Sequence, residues 1–460
     1  MAKRVVIVGG GVAGISVLRN LLARKGEVRE GINLTLIKRE KSGWLSTCGL
    51  PFALQGWYEI NKTEVNKPQF FIDQAVDFRT ENEVTKIHVE GNSVTLKTGE
   101  VLPYDYLVIA TGRVPNVPPA LGEVKLGGVY TFSNEDDARK LEVAMGETKT
   151  AVIIGGGIIG LQTALAFSKK GIKTTVVEMF PYLLPAILDA DMASAVKTWL
   201  EKNIAFILGR SVSALKGEER VRSVIVGSEE IPADMVLISA GMRPNVDIAR
   251  DAGLEIGETR GILTDSALHV KKGRSYVKNV YAVGDCVQVI DGITHHPRMS
   301  QMASTSVVQA KVIADNILSD MTGNPALYSS YEPCLSPTVM NIGGLLVGSV
   351  GVTSEAAARA GIKMISGQAT KLTKARYFPG ASSLTLKLIF DAYTMKLIGA
   401  QIVGEATVAE RVNEFAVAIH AGMTAEEIRN MERGFDPSLS LLTDVTINAA
   451  ENALGITPVT

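Results

Sequence analysis

The sequence predicts an α/β protein made of two similar βαβ modules and a smaller C-terminal α+β domain. Residues 9–14 read Gly-Gly-Gly-Val-Ala-Gly directly after an apolar run, and residues 155–160 read Gly-Gly-Gly-Ile-Ile-Gly directly after another. Each glycine-rich stretch is typical of the turn between the first strand and the helix of a Rossmann-like fold. From about residue 326, apolar and polar residues alternate, which predicts half-buried antiparallel strands.

Composition excludes several classes of partner. The chain has 460 residues and a formal net charge of −1, which gives no electrostatic basis for binding nucleic acid or an anionic membrane. Its three cysteines are far apart, so we expect no disulfide framework and a reducing, cytoplasmic location. The N-terminal apolar run is too short for a signal peptide. The longest apolar stretch, 151–167, contains glycines and a glutamine, so no membrane span is predicted.

The hydrophobic pattern predicts the elements of each part. The first module is expected to have a strand at 4–8, a helix at 12–25 and a strand at 34–37, and the second repeats this order at 151–154, 158–170 and 173–177. Further buried strands are expected at 104–110, 234–240 and 279–283. The C-terminal domain is expected to contain strands at 384–390 and 397–403 and helices at 408–421 and 424–431.

The two glycine turns predict two dinucleotide sites. Glycines there allow a tight turn and a close approach to a pyrophosphate, and the helix N-terminus supplies N–H groups to the phosphates. The alternative is that the glycines serve tight packing alone. The residues predicted to bind are Gly9, Gly11, Val12, Ala13 and Gly14 in the first turn, and Gly155, Gly157, Ile158, Ile159 and Gly160 in the second.

The residue that ends the second strand distinguishes the two modules. In the second module this residue is Glu178, whose carboxylate would accept hydrogen bonds from ribose hydroxyls and repel a 2′-phosphate, so NADH is predicted in preference to NADPH. The alternative for Glu178 is a solvated strand end. In the first module a lysine, Lys38, stands at this position. Either Glu40 reaches back to the ribose, or Lys38 or Arg39 contacts a phosphate.

Cys48 is the candidate redox residue. It lies in the stretch Thr-Cys-Gly-Leu-Pro-Phe between the two glycine turns, and residues 50–57 are expected to form a short helix behind it. A cysteine at a helix N-terminus has a stabilised thiolate. The alternative is a buried, inert cysteine. We expect Cys286, beside a buried strand end, to be structural, and Cys334 to have no special role.

These motifs together resemble the pyridine nucleotide–disulfide oxidoreductases, FAD-dependent enzymes. The resemblance covers almost the whole chain and includes Ala-Thr-Gly at 110–112, Ala-Gly-Met-Arg-Pro-Asn at 240–245 and Val-Tyr-Ala-Val-Gly-Asp at 280–285. The Cys-Gly-Leu-Pro at 48–51 resembles the single-cysteine branch, which contains coenzyme A disulfide reductases, NADH oxidases and NADH-dependent persulfide reductases. The resemblance implies FAD in the first module, NADH in the second, and a homodimer.

The resemblance also implies domain limits and further site residues. An FAD domain would comprise 1–112 and 245–325, an NADH domain 113–244, and a dimerisation domain 326–460. Tyr377 and Phe435 would face the substrate over Cys48, and Asp285 would bind the ribityl chain of FAD. The other implied cofactor-binding residues are Lys38, Arg39, Glu40, Thr47, Val84, Ala110, Thr111, Gly112, Arg113, Gly241, Gly284, Met302 and Ala303. No metal site is expected.

Departures from the family pattern narrow the expected chemistry. Gly43 stands where the two-cysteine reductases carry a second cysteine, and Val12 stands where the peroxidases and water-forming oxidases carry a histidine. Coenzyme A disulfide reductases carry a serine and an asparagine where this chain has Trp44 and Thr47, and a tyrosine where it has Phe435. These three differences are not typical of coenzyme A recognition. For Arg19 and Arg24, a solvated helix face is favoured over contact with an anionic substrate.

The resulting hypothesis is an NADH-dependent flavoenzyme that reduces a small disulfide, persulfide or polysulfide through Cys48. A coenzyme A-derived substrate is one form of this hypothesis. The alternatives are an NADH oxidase or dehydrogenase that passes electrons to oxygen or a small redox protein, and a redox-sensing interaction protein.

Overall fold

The computed structural model describes residues 2–24, 31–122 and 125–457, and it divides into two compact units. Unit 1 comprises Met1–Ala53, Tyr58–Pro115 and Met242–Cys334, and unit 2 comprises Leu54–Trp57, Asn116–Gly241 and Leu335–Thr460. The first glycine turn and Cys48 lie in unit 1, and the second glycine turn and the C-terminal domain lie in unit 2. The three-domain division drawn from the sequence stays a prediction.

Unit 1 is organised around a six-stranded sheet. In sheet order its strands are His269–Lys272, Ser275–Ala282, Tyr106–Ile109, Lys3–Val8, Ile32–Ile37 and Asp77–Arg79. All neighbouring pairs are parallel except the first, which forms a hairpin. The strand Lys3–Val8 is buried on both faces: Val5 and Ile7 join one hydrophobic cluster, and Val6 and Val8 join the other. Its continuous apolar run therefore reflects a central position.

Unit 1 also contains further helices and smaller sheets. The helices are Val12–Ala23, Pro68–Ile72, Asp247–Asp251 and Ala303–Thr322. A three-stranded antiparallel sheet contains Val84–His88, Ser93–Leu96 and Val101–Pro103, and three two-stranded ladders pair Trp44–Leu45 with Glu64–Asn66, Arg113–Pro115 with Met242–Pro244, and Val289–Ile290 with Pro297–Arg298. The short helix Leu50–Leu54 follows the 3-10 turn Thr47–Gly49.

Unit 2 contains the second module as a five-stranded parallel sheet. In sheet order its strands are Val129–Tyr130, Met235–Ile238, Thr150–Ile154, Lys173–Glu178 and Ala205–Leu208. The helices in this part are Pro119–Gly122, Glu135–Met145, Ile158–Lys169 and Ala190–Leu200, and a three-stranded antiparallel sheet contains Val212–Gly217, Val221–Val226 and Glu229–Pro232.

The C-terminal part of unit 2 is the predicted α+β domain. Its antiparallel sheet has the order Thr338–Ile342, Leu345–Gly351, Leu397–Gly404, Ser383–Asp391 and Met364–Leu372. Its helices are Ser354–Arg359, Val408–His420, Ala425–Arg429 and Val445–Ala453. The strand Leu397–Gly404 is buried along its whole length because it lies in the middle of the sheet.

A buried ionic cluster joins the two parts of unit 2. Asp189, just before the helix Ala190–Leu200, lies 3.0 Å from the ammonium of Lys387 on a C-terminal strand. Its carboxylate also accepts hydrogen bonds from the backbone and hydroxyl of Ser354, and its amide donates to Gln401 Oε1 at 2.7 Å. These partners hold the pKa of Asp189 below its usual range, against the opposing effect of burial.

The elements that the sequence predicted are present, but some of their ends differ. The first helix ends at Ala23, and residue 25 of the predicted helix lies outside the described residues. The helix after Cys48 ends at Leu54, because Gly56 follows with φ of +83°. The strand predicted at 104–110 comprises only Tyr106–Ile109. None of the helices within the described ranges has the length and apolar character needed to cross a membrane.

Candidate functional site

The first and third glycines of each turn are required by the backbone itself. Gly9 has φ of +116°, and a Cβ there would lie 2.1 Å from the carbonyl oxygen of Ala110. A Cβ on Gly14 would lie 2.0 Å from the carbonyl oxygen of Gly9. In the second turn, Gly155 has the same φ, and a Cβ on Gly160 would lie 2.1 Å from the carbonyl oxygen of Gly155. A side chain at any of these positions would force the backbone apart.

The middle glycines have a different role. A Cβ on Gly11 or Gly157 would meet no atom within 4 Å. Each is the N-cap residue of its helix and provides no side-chain cap for the first amides. Internal packing therefore does not require glycine here, whereas a pyrophosphate at the helix N-terminus does. The turns fit dinucleotides, and Val12, Ala13, Ile158 and Ile159 form the first helical residues beneath them.

Glu178 faces the second glycine turn. Its Oε2 accepts a hydrogen bond of 2.6 Å from the Gly156 amide, and its Oε1 accepts one of 2.9 Å from the Phe180 amide. The side chain is buried, with 6% of its surface exposed. The structure therefore contradicts the alternative of a solvated strand end: two backbone amides fix this carboxylate beside the turn.

Lys38 stands at the end of the second strand of the first module, the position that Glu178 has in the second module. Its side chain reaches a different partner. Its ammonium donates a hydrogen bond of 2.6 Å to the carbonyl oxygen of Gly43 and lies 3.9 Å from Glu40. Arg39 points outward and lies 3.8 Å from Glu83. Contacts of Lys38, Arg39 and Glu40 with FAD stay predictions.

A second cluster of predicted FAD residues lies around Asp285. Arg113 Nε lies 3.3 Å from its carboxylate, and Arg113 also donates to the carbonyl oxygen of Gln301 at 3.1 Å. Burial raises the pKa of Asp285, and Arg113 partly offsets this effect. Met302, the N-cap residue of the helix that begins at Ala303, directly follows Gln301. Because Arg113 contacts both Asp285 and Gln301, Asp285 lies near the start of that helix.

The remaining predicted residues surround the same strand ends. The Thr111 hydroxyl donates to the Asn245 carbonyl at 2.6 Å, and Gly112 and Gly284 both have positive φ. A Cβ on Gly284 would lie 2.7 Å from the Ala13 methyl, so this turn packs on the first helix. Val84 is buried in the core, and its contact with FAD stays a prediction. In unit 2, Gly241 accepts a hydrogen bond from the Asn116 amide.

Cys48 lies at the centre of the 3-10 turn Thr47–Gly49 and is exposed. This overturns the alternative of a buried cysteine. The Gly49 amide donates to the Ser46 carbonyl, and the Ser46 amide donates to the Thr63 carbonyl at 2.8 Å. The hydroxyl of Tyr58 donates to the Gly49 carbonyl at 3.0 Å. The thiol is therefore carried on a turn with fixed hydrogen bonds at both ends.

The other two cysteines are buried. Cys286 is fully buried, its thiol donates to the Val283 carbonyl at 3.3 Å, and burial raises its pKa. Cys334 contacts the hydroxyls of Ser300 and Thr305, each at 3.5 Å. All three cysteines are free thiols, and the described residues contain no cluster able to hold a metal ion.

The loops of Tyr377 and Phe435 meet within unit 2. The Ala375 amide donates to the Pro437 carbonyl at 3.2 Å, and Lys371 donates to the Thr443 carbonyl. Both aromatic side chains are exposed, Tyr377 by 72% and Phe435 by 51%. The structure thus presents the two predicted substrate-facing side chains from adjoining loops.

Some residues that shape the site were missed from the sequence. Glu64 accepts a hydrogen bond of 2.7 Å from the Gly43 amide, and no local pattern marks it or Tyr58. Arg19 is exposed, as expected for a solvated helix face, and lies over the Trp44 ring at 5.1 Å. The side chain of Arg24 is 40% exposed and pairs with Asp315.

The family model for the pyridine nucleotide-disulphide oxidoreductases matches residues 3–307, and the model for their dimerisation domain matches residues 340–444. The chain belongs to this family. The predicted family and fold class are therefore confirmed, and the protein is an oxidoreductase that uses FAD and NADH.

Individual relatives carry several activities. The NADH oxidase of Methanocaldococcus jannaschii is 34% identical, with 98% of each chain covered. The NAD(P)H coenzyme A polysulfide/persulfide reductase of Pyrococcus horikoshii is 29% identical, with 97% of each chain covered. A solved NAD-dependent persulfide reductase from A. fulgidus superposes with a TM-score of 0.91 at 30% identity, and the match covers 98% of this chain and 83% of that one.

Proposed function

We propose that this enzyme uses NADH to reduce a small disulfide, persulfide or polysulfide, with Cys48 as the nucleophile. The observation that carries the proposal is the exposed Cys48 thiol on a fixed turn, in the same unit as the FAD-binding module. The other cysteines, Cys286 and Cys334, are buried and unsuited to this task. Relatives named as persulfide and polysulfide reductases support the sulfur substrate.

The chemistry divides into two steps. The Cys48 thiolate attacks one sulfur of the substrate disulfide, which forms a mixed disulfide and releases one thiolate. Two electrons from NADH then cleave the mixed disulfide, release the second thiolate and restore the Cys48 thiolate. When bound, FAD supplies the two-electron carrier between NADH and sulfur. With a persulfide as substrate, the same two steps release hydrosulfide and a thiolate.

The chain's own residues hold the reactants in place. The two glycine turns would bind the pyrophosphates through helix N-termini, and Glu178 would orient the NADH ribose and disfavour NADPH. Asp285 would bind the FAD ribityl chain. In a homodimer, Tyr377 and Phe435 would enclose the substrate over Cys48. A coenzyme A-derived substrate and a cytoplasmic location are further parts of this proposal.

An anaerobic NADH titration of the wild type and of Cys48→Ser tests the proposal. We expect the wild type to develop a long-wavelength thiolate-to-flavin band and to consume more than one NADH per flavin. The variant should bind FAD, take up one NADH per flavin and lose sulfur-dependent turnover. If both proteins bleach with one NADH per flavin and no band, Cys48 is outside the electron path.

A second candidate function is NADH oxidation by oxygen. The relative from Methanocaldococcus jannaschii, named an NADH oxidase, is the observation that favours it. Reduced flavin can react with oxygen without a thiol. Oxygen consumption that survives Cys48→Ser, with no sulfur compound turned over by the wild type, would support this function instead.

A further inference from the structure

We propose that Lys38 is a positioning residue that holds the cysteine segment, defined as residues 43–49, against the FAD-binding turn. The inference deepens the proposed function and rests on it only in treating Cys48 as the reacting thiol. It replaces the alternative that Lys38 contacts a phosphate.

The stem of Lys38 lies against the first glycine turn. A Cβ on Gly10 would lie 2.5 Å from Lys38 Cδ, so glycine at position 10 makes room for this side chain. Only 5% of Lys38 is exposed. Burying an ammonium is costly unless it is hydrogen-bonded. Its hydrogen bond of 2.6 Å to the Gly43 carbonyl meets that need and fixes the start of the cysteine segment.

The Gly43 residue is held from the opposite direction as well. Its amide donates to Glu64 Oε1 at 2.7 Å. A Cβ on Gly43 would lie 2.2 Å from the Asn66 carbonyl oxygen, so the backbone runs directly against the strand Glu64–Asn66. The Lys38 ammonium and the Glu64 carboxylate thus hydrogen-bond to the carbonyl and the amide of Gly43, respectively. Lys38 supplies the contact from the side of the glycine turn.

This arrangement gives Lys38 a role in the geometry of catalysis. Cys48 lies five residues beyond Gly43, and the intervening segment is fixed to its surroundings again at Ser46. A shift of about 1 Å in a reacting group can cost roughly a hundredfold in rate. Release of Gly43 should therefore lower kcat for sulfur reduction and leave the KM for NADH unchanged, since the NADH turn belongs to the other module.

The test compares Lys38→Met with Lys41→Met in the FAD-loaded enzyme. Methionine keeps most of the stem and removes the ammonium, and Lys41 is a nearby exposed lysine outside the predicted binding residues, which makes it the matched control. For Lys38→Met we expect retained flavin, amide exchange in residues 43–49 faster by about tenfold, and a weaker thiolate-to-flavin band. kcat should fall about tenfold at constant KM for NADH. Lys41→Met should match the wild type in each measurement.

Wild-type exchange in residues 43–49 of a folded Lys38→Met protein would overturn the inference. If that variant does not fold, Glu64→Ala releases the amide of the same glycine. It should then accelerate exchange in the same segment, and the absence of that effect would be equally decisive. Failure of the proposed function appears separately, as sulfur turnover that survives Cys48→Ser, and the exchange measurement still decides the role of Lys38.

Discussion

The two βαβ modules have nearly the same backbone but end their second strands differently. Gly9 and Gly155 have the same φ of +116°. A Cβ added to the third glycine would lie 2.0 Å from the carbonyl oxygen of the first glycine in one module and 2.1 Å from it in the other. At the strand end, both side chains are buried: Lys38 is 5% exposed and Glu178 is 6% exposed. Glu178 turns back to the glycine turn, and Lys38 extends forward to Gly43.

This difference shows how one position changes the use of a common module. A carboxylate can accept the Gly156 amide and still face a ribose, which suits a module whose task is to select a nucleotide. An ammonium can only donate hydrogen bonds, so a buried lysine needs an acceptor. For Lys38 this acceptor is the Gly43 carbonyl, at the start of the segment that carries Cys48. The first module thereby also supports the segment that carries Cys48.

The largest effect is expected from a side chain at the third glycine. Alanine normally stabilises a helix by about 1 kcal/mol over glycine, but here its Cβ would meet the carbonyl oxygen of the first glycine. We expect Gly14→Ala to lower the free energy of unfolding by about 1–3 kcal/mol and to yield flavin-free protein. Gly160→Ala should retain flavin but lose its reduction by NADH. Denaturant titration and visible spectra measure both.

The middle glycines provide the control for this experiment. Gly11→Ala and Gly157→Ala should unfold within roughly 0.5 kcal/mol of the wild type, because their added methyl groups meet no protein atom. They should still weaken the binding of their respective dinucleotides. Equal stability of Gly14→Ala and Gly11→Ala would contradict the division into packing and binding glycines.

An intermediate effect is expected at Glu178. Glu178→Gln removes the negative charge. The glutamine keeps only one side-chain oxygen, so it can accept from only one of the two backbone amides that Glu178 now binds. The KM for NADH should rise about tenfold, and the preference over NADPH should shrink because the repulsion of a 2′-phosphate is lost. Steady-state kinetics with both nucleotides measure this. Glu40→Gln, near the same place in the first module, should leave both KM values unchanged; a rise there would remove the asymmetry between the modules.

The smallest effect is expected in the pH dependence of stability at Asp285. Burial raises the pKa of this carboxyl above its ordinary 3.8, so the folded state holds the proton more tightly than the unfolded chain. Its contribution to stability is therefore present below that ordinary value and is lost as pH rises through the raised pKa. Asp285→Asn should lack this component and differ from the wild type by less than about 1 kcal/mol. Unfolding curves between about pH 4 and pH 7 measure it, and identical slopes would contradict it.

The sequence predicted those features that depend on short-range patterns. Strand, turn and helix follow one another within a few residues in each module, so the apolar runs and glycines were sufficient. The exposure of Cys48 also agreed with the functional hypothesis. The two hydrogen bonds that fix Gly43 could not be predicted from the sequence. Glu64 lies 21 residues away along the chain, and the direction of the Lys38 side chain depends on tertiary packing. The meeting of the Tyr377 and Phe435 loops likewise depends on a hydrogen bond between Ala375 and Pro437.

The ionic cluster around Asp189 has a consequence for protein engineering. A chain cut after Cys334 would keep both glycine turns and Cys48 but would lose Lys387, Ser354 and Gln401 together. Asp189 would then lose these partners, and the surface that the C-terminal part covers around it would be exposed to water. The C-terminal domain is therefore not a detachable module. A domain exchange with a relative would have to carry the helix Ala190–Leu200 and its acidic cap across the junction as well.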